Sequence, residues 1–237
     1  MKLKEHFDKK YIDDIDGKIG DNYFSPVLDY VFNKIKVTNV CDIGCGNGIF
    51  SGSIKQNYQC KVIGVDANSY ALSQASKLDF DQLLKTNDFS NDILPVDSGS
   101  VDLVICKDVM EHLVDPLHLT QEIFRITKSG GSVLLHVPNH FPIWGRLKFL
   151  FTNNIDTFSY FSNTNRYNFP HIRFFTLASV EDMLKKSGFT SIENISFFFT
   201  RPPVIHRFIP ISLIKKMAKM STDNFSEGIT VLASKAE

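Results

Sequence analysis

The chain has 237 residues, 43% of them apolar and 22% charged, with 26 basic and 26 acidic side chains. That length suits one α/β domain with a sizeable core and some decoration. Zero net charge excludes a global basic field favouring nucleic acid, and the composition is that of a soluble globular protein.

No run is apolar and long enough to span a bilayer. Met1-Lys2-Leu3-Lys4-Glu5-His6 lacks the apolar core of a secretory signal behind its charges. Cys41, Cys45, Cys60 and Cys106 form no Cys-x-x-Cys pair and have no histidine cluster beside them in sequence. Reduced core thiols are therefore expected, with no metal site, in a cytoplasmic protein.

Apolar runs then alternate with helical patterns. Residues 39–43 predict a strand ending at a glycine loop, and residues 48–57 a helix. Lys61–Asp66 predicts a second strand ending in an acid. Asn68 or Ser69 caps a helix predicted to run to about residue 79. Gln82–Thr86 reads as a short third strand and Val101–Cys106 as a fourth. Asp115 as N-cap and Pro116 at the first position start the clearest helix. Leu119, Ile123, Phe124 and Ile126 share one face of it, and Gly130-Gly131 is its expected stop. Ser132–Val137 is the fifth expected strand. A later helix starts near Thr176, turns Val180, Met183 and Leu184 inward, and stops at Gly188. Strand-like runs follow at about 190–200 and 228–235.

Strands separated by helices imply a mostly parallel sheet covered on both faces. Residues 138–175 and 201–226 break that rhythm. The first is aromatic and rich in Asn; the second joins prolines to a basic, apolar helix pattern. Ligands of such sheets sit at the carboxyl ends of the strands, so both segments are expected to be lids or acceptor-binding insertions within a single domain.

The stretch Val40-Cys41-Asp42-Ile43-Gly44-Cys45-Gly46-Asn47-Gly48 follows the first strand directly. Glycines there let the backbone turn sharply and approach a ligand that a Cβ would block. The dinucleotide fingerprint is G-x-G-x-x-G, but Ile49 stands where its third glycine belongs. Asp42, just ahead of the loop, suits a ligand cation better than a pyrophosphate. Asp66 fits ribose hydroxyls under either cofactor.

With these residues the chain resembles the class I S-adenosylmethionine-dependent methyltransferases, in particular the group of type 11 and type 23 domains. The likeness rests on Asp42–Gly48, Gly64-Val65-Asp66, Asn87-Asp88-Phe89 with Leu94-Pro95, and Val101-Asp102-Leu103-Val104 running into Val109–Leu113 and Asp115-Pro116. His171-Ile172-Arg173-Phe174-Phe175-Thr176 and Ser187-Gly188-Phe189 extend it, so that it covers most of residues 38–190. Asn87 and Val101 depart from a pattern that often has Gly and Phe there.

The resemblance implies a Rossmann-like, doubly wound sheet of about seven strands, mostly parallel with an antiparallel last strand and helices on both faces. It implies S-adenosyl-L-methionine as cofactor. Gly44, Gly46 and Gly48 would admit the methionine moiety, with Cys45 in the same loop and Asp42 orienting the amino end. Asp66, with Ala67 beside it, would bind ribose. Asp88 would accept from the adenine amino group, the Phe89 backbone would meet the ring edge, and the Lys107 backbone would line the methionine.

Methyl transfer to oxygen also needs a proton removed. His112, His140 and His171 are the candidate bases, with Asp108 and Glu111 nearby; His140 is preferred because it directly follows the fifth strand. Each could instead hold a loop together. His136 and Asp102, inside strand patterns, read as structural.

The acceptor is expected to be a small molecule or a sugar. Similar proteins with this His-Ile-Arg-Phe-Phe-Thr block include methyltransferases acting on cell-surface sugars and on quinone precursors. Phe141, Trp144, Phe149, Phe151, Phe158, Tyr160 and Phe161 either line an acceptor pocket or pack as the lid's own core. Residues 201–220 fit a peripheral membrane contact or a helix packed on the domain with a solvated basic side. A cofactor-binding scaffold without chemistry and a nicotinamide-dependent oxidoreductase are the alternatives. A nucleic-acid methyltransferase is disfavoured, because Lys107-Asp108-Val109-Met110 stands where an Asn/Asp-Pro-Pro-Tyr/Phe motif would follow the fourth strand.

Overall fold

The computed structural model describes residues 24–152, 171–199 and 210–237. Seven strands form one sheet: β1 (Asn39–Ile43), β2 (Lys61–Asp66), β3 (Gln82–Lys85), β4 (Val101–Lys107), β5 (Thr127–Pro138), β6 (Ser191–Asn194) and β7 (Gly228–Ser234). Their order is β3-β2-β1-β4-β5-β7-β6. The first five pair in parallel, while β7 runs antiparallel to both β5 and β6.

Helices cover both faces. Successive side chains of a strand point to opposite sides, so Leu103 and Ile105 of β4 meet one layer and Val104 and Cys106 the other. The first layer is α1 (Ser25–Lys34) and α2 (Ile49–Asn57), which bring Val27, Leu28, Val31 and Ile54. The second is α4 (Pro116–Ile126) and α6 (Leu177–Ser187). These contribute Leu119, Ile123, Ile126, Val180, Met183 and Leu184. Full burial of such a side chain stabilises by about 1.5–3 kcal/mol. The cysteines are free, three of them buried.

The expected caps are present. Asp115 accepts from the Leu117 and His118 amides at the start of α4. Thr176 and Ser179 close a capping box on α6, and Gly188 ends it at φ 111°. Asn68 accepts from the Tyr70 and Ala71 amides.

Three boundaries differ from expectation. Helix α3 (Ser69–Ala75) is shorter than predicted, because successive turn hydrogen bonds take over from Ser76 to Phe80. Gly130-Gly131 do not stop α4, which ends at Ile126. They lie inside β5, where its pairing with β4 jumps from Val101↔Thr127 to Leu103↔Ser132; Gly130, at φ 73°, allows that bulge. The run at 190–200 is not one strand. The Asn194 side chain accepts from the Ser196 amide and hydroxyl, so β6 closes and a 3-10 turn, Ser196–Phe199, follows.

Of the two segments outside the strand–helix rhythm, the described parts are α5 (Ile143–Thr152), α7 (Ile211–Met220) and the short α8 (Thr222–Phe225). Helix α8 is tied to both the sheet and α6. Asn139, just past β5, donates to the Asp223 and Ser226 carbonyls at 3.1 and 2.8 Å, and the Asp223 carboxylate accepts from the Leu177 amide. No helix among the described residues is long and apolar enough to cross a membrane.

Candidate functional site

The site forms where β1, β2, β4 and β5 end side by side. The strand order reverses direction between β1 and β4, which opens a crevice at their carboxyl ends.

The glycine loop borders this crevice. Gly44, Gly46 and Gly48 all have positive φ, at 76°, 56° and 83°. A Cβ on Gly44 would sit 2.3 Å from Val109 Cγ2, so the loop is pressed against the turn after β4. A Cβ on Gly46 would meet nothing within 4 Å among the described residues, so this part of the loop is open to a ligand on their side.

Two carboxylates hold the loop. Asp66 Oδ2 accepts from the Gly46 amide at 2.8 Å, and Oδ1 from the Asn68 amide at 2.7 Å. Asp42 shares strand parity with Val40, so it points toward α2, where the Ser51 hydroxyl donates to it. Burial pushes its carboxyl up to about 7, against the opposing pull of Ser51 and Lys107. A carboxyl that titrates near 7 would ionise readily opposite an ammonium.

Asp88 is exposed, and its oxygens accept from the Ser90 amide and the Asn91 side chain. Those bonds, Asn91 first, hold its carboxyl below the usual range. Phe89 next to it is buried. A Gly46 with no described neighbour in its Cβ direction, a buried carboxyl and acids at successive strand ends fit an adenosyl cofactor carrying an amine, ribose hydroxyls and an adenine. The residues named for it from sequence are Asp42, Gly44, Cys45, Gly46, Gly48, Asp66, Ala67, Asp88, Phe89 and Lys107.

The Lys107 side chain has its own work. Its Nζ pairs with Asp108 and lies 5.8 Å from the centre of the Phe24 ring. Burial alone would lower its pKa, but the Asp108, Asp42 and Glu111 carboxylates outweigh that and raise it. Asp108 has a left-handed backbone, φ 54°, rare outside glycine and least costly for Asp or Asn. Its amide donates to the His136 carbonyl at 3.1 Å, which fixes the turn.

His112, His140 and His171 converge here. His140 Nε2 lies 2.6 Å from His171 Nδ1. The His112 and His171 rings meet edge to face, 4.8 Å between centres. Phe174 packs edge-on against His140 at 4.9 Å. Glu111 completes the group, with Oε1 3.9 Å from His112 Nε2 and 4.0 Å from His171 Nε2. Burial raises the Glu111 carboxyl well above its ordinary value, and burial together with the neighbouring histidines lowers His171 to about 3.

The chain reaches this geometry through backbone. The Glu111 carbonyl accepts from the Ile172 and Arg173 amides at 2.9 and 3.1 Å. Arg173 also donates to the Leu113 and Val114 carbonyls. The segment after His171 is thereby stitched to the 3-10 turn Met110–His112. His140 and His171 are buried, at 4% and 8% exposure; the His112 side chain, at 26%, is the most open of the three.

His136 faces Thr230 at 2.7 Å inside the sheet, as a structural residue does. Asp102 accepts from Thr38, Asn39 and Lys128, tying β4 to the entry of β1. The sequence did not signal that Glu111 joins His112 and His171, whose ligand atoms all lie within 4.8 Å of one another. All three residues were candidates from sequence; the contact across the 59 residues from His112 to His171 was not visible in it.

The aromatic insertion is only partly described. Phe141 tilts against Phe174 at 5.4 Å, while Phe149 and Phe151 are exposed at 44% and 82%. Phe158, Tyr160 and Phe161 lie outside the described residues. On α7, Ile214 and Ala218 are buried, Leu213 is exposed, and Lys219 sits 4.2 Å from the Phe197 ring centre. Residues 201–209 lie outside the described residues.

A family model described as "Methyltransferase domain", of type 23, matches residues 17–194. Among curated relatives, a ubiquinone biosynthesis O-methyltransferase of Sodalis glossinidius is 28% identical over 137 residues, 54% of this chain and 55% of that one. The enzyme of the same name from Pseudomonas aeruginosa is 32% identical over 111 residues, 44% and 45% of the two chains. The chain thus spans about half the length of the curated relatives it matches. Among solved structures, a methyltransferase in complex with the Trm112 activator of Haloferax volcanii superposes with a TM-score of 0.63 at 19% identity, covering 98% of both chains. A SAM-dependent methyltransferase of Thermotoga maritima gives 0.62 at 18%, covering 97% of both. A phosphoethanolamine N-methyltransferase of Haemonchus contortus in complex with S-adenosyl-L-methionine gives 0.55 at 19%, over 85% of this chain and 49% of that one. These likenesses carry the fold, and the family match carries the cofactor class. The chain belongs to the class I S-adenosylmethionine-dependent methyltransferases, in the type 23 methyltransferase domain family.

Proposed function

We propose that this protein transfers a methyl group from S-adenosyl-L-methionine to an oxygen of a small-molecule or sugar acceptor. The observation that carries the oxygen assignment is the histidine cluster at the ends of β4 and β5. A methyl on a sulfonium needs an aligned nucleophile and little else. A hydroxyl nucleophile must also lose its proton, and imidazoles suit that task near neutral pH.

In this reading Asp42 faces the ammonium end of the cofactor, Asp66 the ribose, and Asp88 with Phe89 the adenine. The glycine loop keeps the backbone close, and the Lys107 backbone borders the methionine. His112 faces the opening, with His171 and His140 behind it. His140 is the residue we assign to the proton-accepting end. Half-buried Phe141 and exposed Phe174 border that cluster and suit a flat or apolar acceptor. The curated relatives act, by name, in ubiquinone biosynthesis, which favours a phenolic acceptor over a sugar. The exposed Leu213 and Met220 of α7 join the same proposal as a point of contact with membrane, near which an apolar acceptor would be found.

The test is calorimetric titration with S-adenosylhomocysteine, with NADH and the Asp66→Ala variant as controls, followed by a panel of phenols and nucleotide sugars. Binding of the thioether without an NADH signal, weakened in the variant, and a methylated oxygen on one acceptor class support the proposal. Thioether binding with no product across the panel favours the scaffold. NADH binding in its place favours an oxidoreductase.

A further inference from the structure

We infer that Glu111, His112 and His171 form a binding site for a divalent first-row metal ion, zinc being the best match. Glu111 Oε1, His112 Nε2 and His171 Nε2 come from two segments that meet at one point, the carboxylate 3.9 and 4.0 Å from the two nitrogens. All three ligand atoms lie within 4.8 Å of one another. An ion bonded at about 2.0–2.2 Å to each needs them only slightly closer.

The donor chemistry is specific. Two imidazoles and one carboxylate suit zinc and its first-row neighbours, whereas magnesium and calcium prefer all-oxygen shells. His171 is already oriented as a ligand would be. Its Nδ1 faces His140 Nε2 at 2.6 Å, while its Nε2 is turned to Glu111 Oε1. The Glu111 carbonyl is fixed by the Ile172 and Arg173 amides, so the two segments are held together without the ion.

A second, independent observation points to a ligand. Glu111 is 1% exposed, and its other carboxylate oxygen, Oε2, has no hydrogen-bond partner among the described residues. A buried carboxylate with an unsatisfied oxygen is costly unless something compensates it. A cation bound through the carboxylate would do so. His112, the most open ligand, leaves the remaining coordination positions toward the opening, where an acceptor oxygen can take one.

This inference deepens the oxygen-acceptor proposal by making His112 and His171 ligands and leaving the proton-accepting role to His140, beside His171 Nδ1. The experiment uses the full chain stripped with a chelator and titrated with Co²⁺ while recording visible absorption, then with Zn²⁺ in competition. The same samples are titrated with S-adenosylhomocysteine. One equivalent of Co²⁺ with ligand-field bands, displaced by Zn²⁺, is expected. Glu111→Gln and His112→Gln should each weaken binding by more than the ~10–100-fold that loss of an outer partner costs a site. His118→Gln, outside the cluster, should leave it unchanged. His112→Gln alters a half-buried side chain and guards against a folding failure in Glu111→Gln. No stoichiometric uptake, or uptake unchanged in both cluster variants, overturns the inference. Thioether binding without metal uptake would end this inference and leave the methyltransferase proposal standing; metal uptake without thioether binding would do the reverse.

Discussion

His140 and His171 touch through Nε2 and Nδ1 at 2.6 Å, although one follows the fifth strand and the other opens the segment before α6. Only one of the two nitrogens can carry the shared proton, so the tautomer of each ring depends on the other. Replacing His140 with Ala should lower turnover by about 100-fold or more, the scale of a lost acid–base group. Affinity for S-adenosylhomocysteine should stay near wild type, since the His140 ring meets His171 and Phe174 on the acceptor side. Steady-state kinetics with calorimetry checks this, and equal loss of both would remove His140 from the acceptor side.

Gly44 and Gly46 should separate fold from function. Gly44→Ala drives a methyl into Val109, and overpacking of this kind costs about 1–3 kcal/mol, added to roughly 1–2 kcal/mol for the left-handed backbone. Its melting temperature should fall clearly. Gly46→Ala meets no described residue within 4 Å and bears the backbone cost, yet it puts a methyl where the cofactor is expected. It should melt closer to wild type and bind S-adenosylhomocysteine much more weakly. A Gly46→Ala variant with intact affinity would move the cofactor elsewhere.

Asp42 gives the cofactor affinity a pH dependence. Its carboxyl titrates near 7 in the free protein because of burial, and an ammonium prefers the ionised form. Binding should therefore weaken as pH falls below about 7, by up to about tenfold per unit, the limit for one linked proton. Asp42→Asn should bind weakly at every pH with a flatter profile. The same shift acts oppositely on the stability of the free protein. The folded pKa is raised above the unfolded value, so the contribution of Asp42 is fullest below pH 3.8 and declines as pH rises toward 7.

Asp102 should matter for stability and not for binding. Burial favours its neutral form, but hydrogen bonds from Lys128, Thr38 and Asn39 outweigh that and bring its carboxyl down to about 2. Its contribution is present above the unfolded pKa of 3.8 and is lost as pH falls through 2. Asp102→Ala should cost about 2–3 kcal/mol near pH 7, as loss of a hydrogen-bonded charge does. Chemical denaturation reads this directly. Unchanged stability, or loss of thioether affinity in protein that remains folded, would contradict the structural role.

Strands β1, β2 and β4 were legible because each is a short apolar run with a charged residue at or beside its end. The caps at Asn68, Asp115 and Thr176 were legible for the same local reason. Strand β5 was read too short because its first residues, Thr127–Gly131, reach the sheet through a glycine bulge that looks like a helix stop. The grouping of Glu111 with His112 and His171 was not legible. It depends on the Ile172 and Arg173 amides reaching a carbonyl about 60 residues earlier in the chain, and no local pattern encodes a contact of that span.

The position of β7 has a consequence for how the chain assembles. It lies inside the sheet, between β5 and β6, yet follows both in sequence. Among the described residues, strand β6 pairs with β7 alone and so gains its sheet partner only when β7 arrives. The far edge should therefore close last, through contacts distant in sequence that form slowly. Helix α6 and the bond from Asn139 to Ser226 flank that seam. Kinetically, the parallel half carrying the glycine loop can form early, while the histidine-bearing end of β5 gains its final support only in the late step.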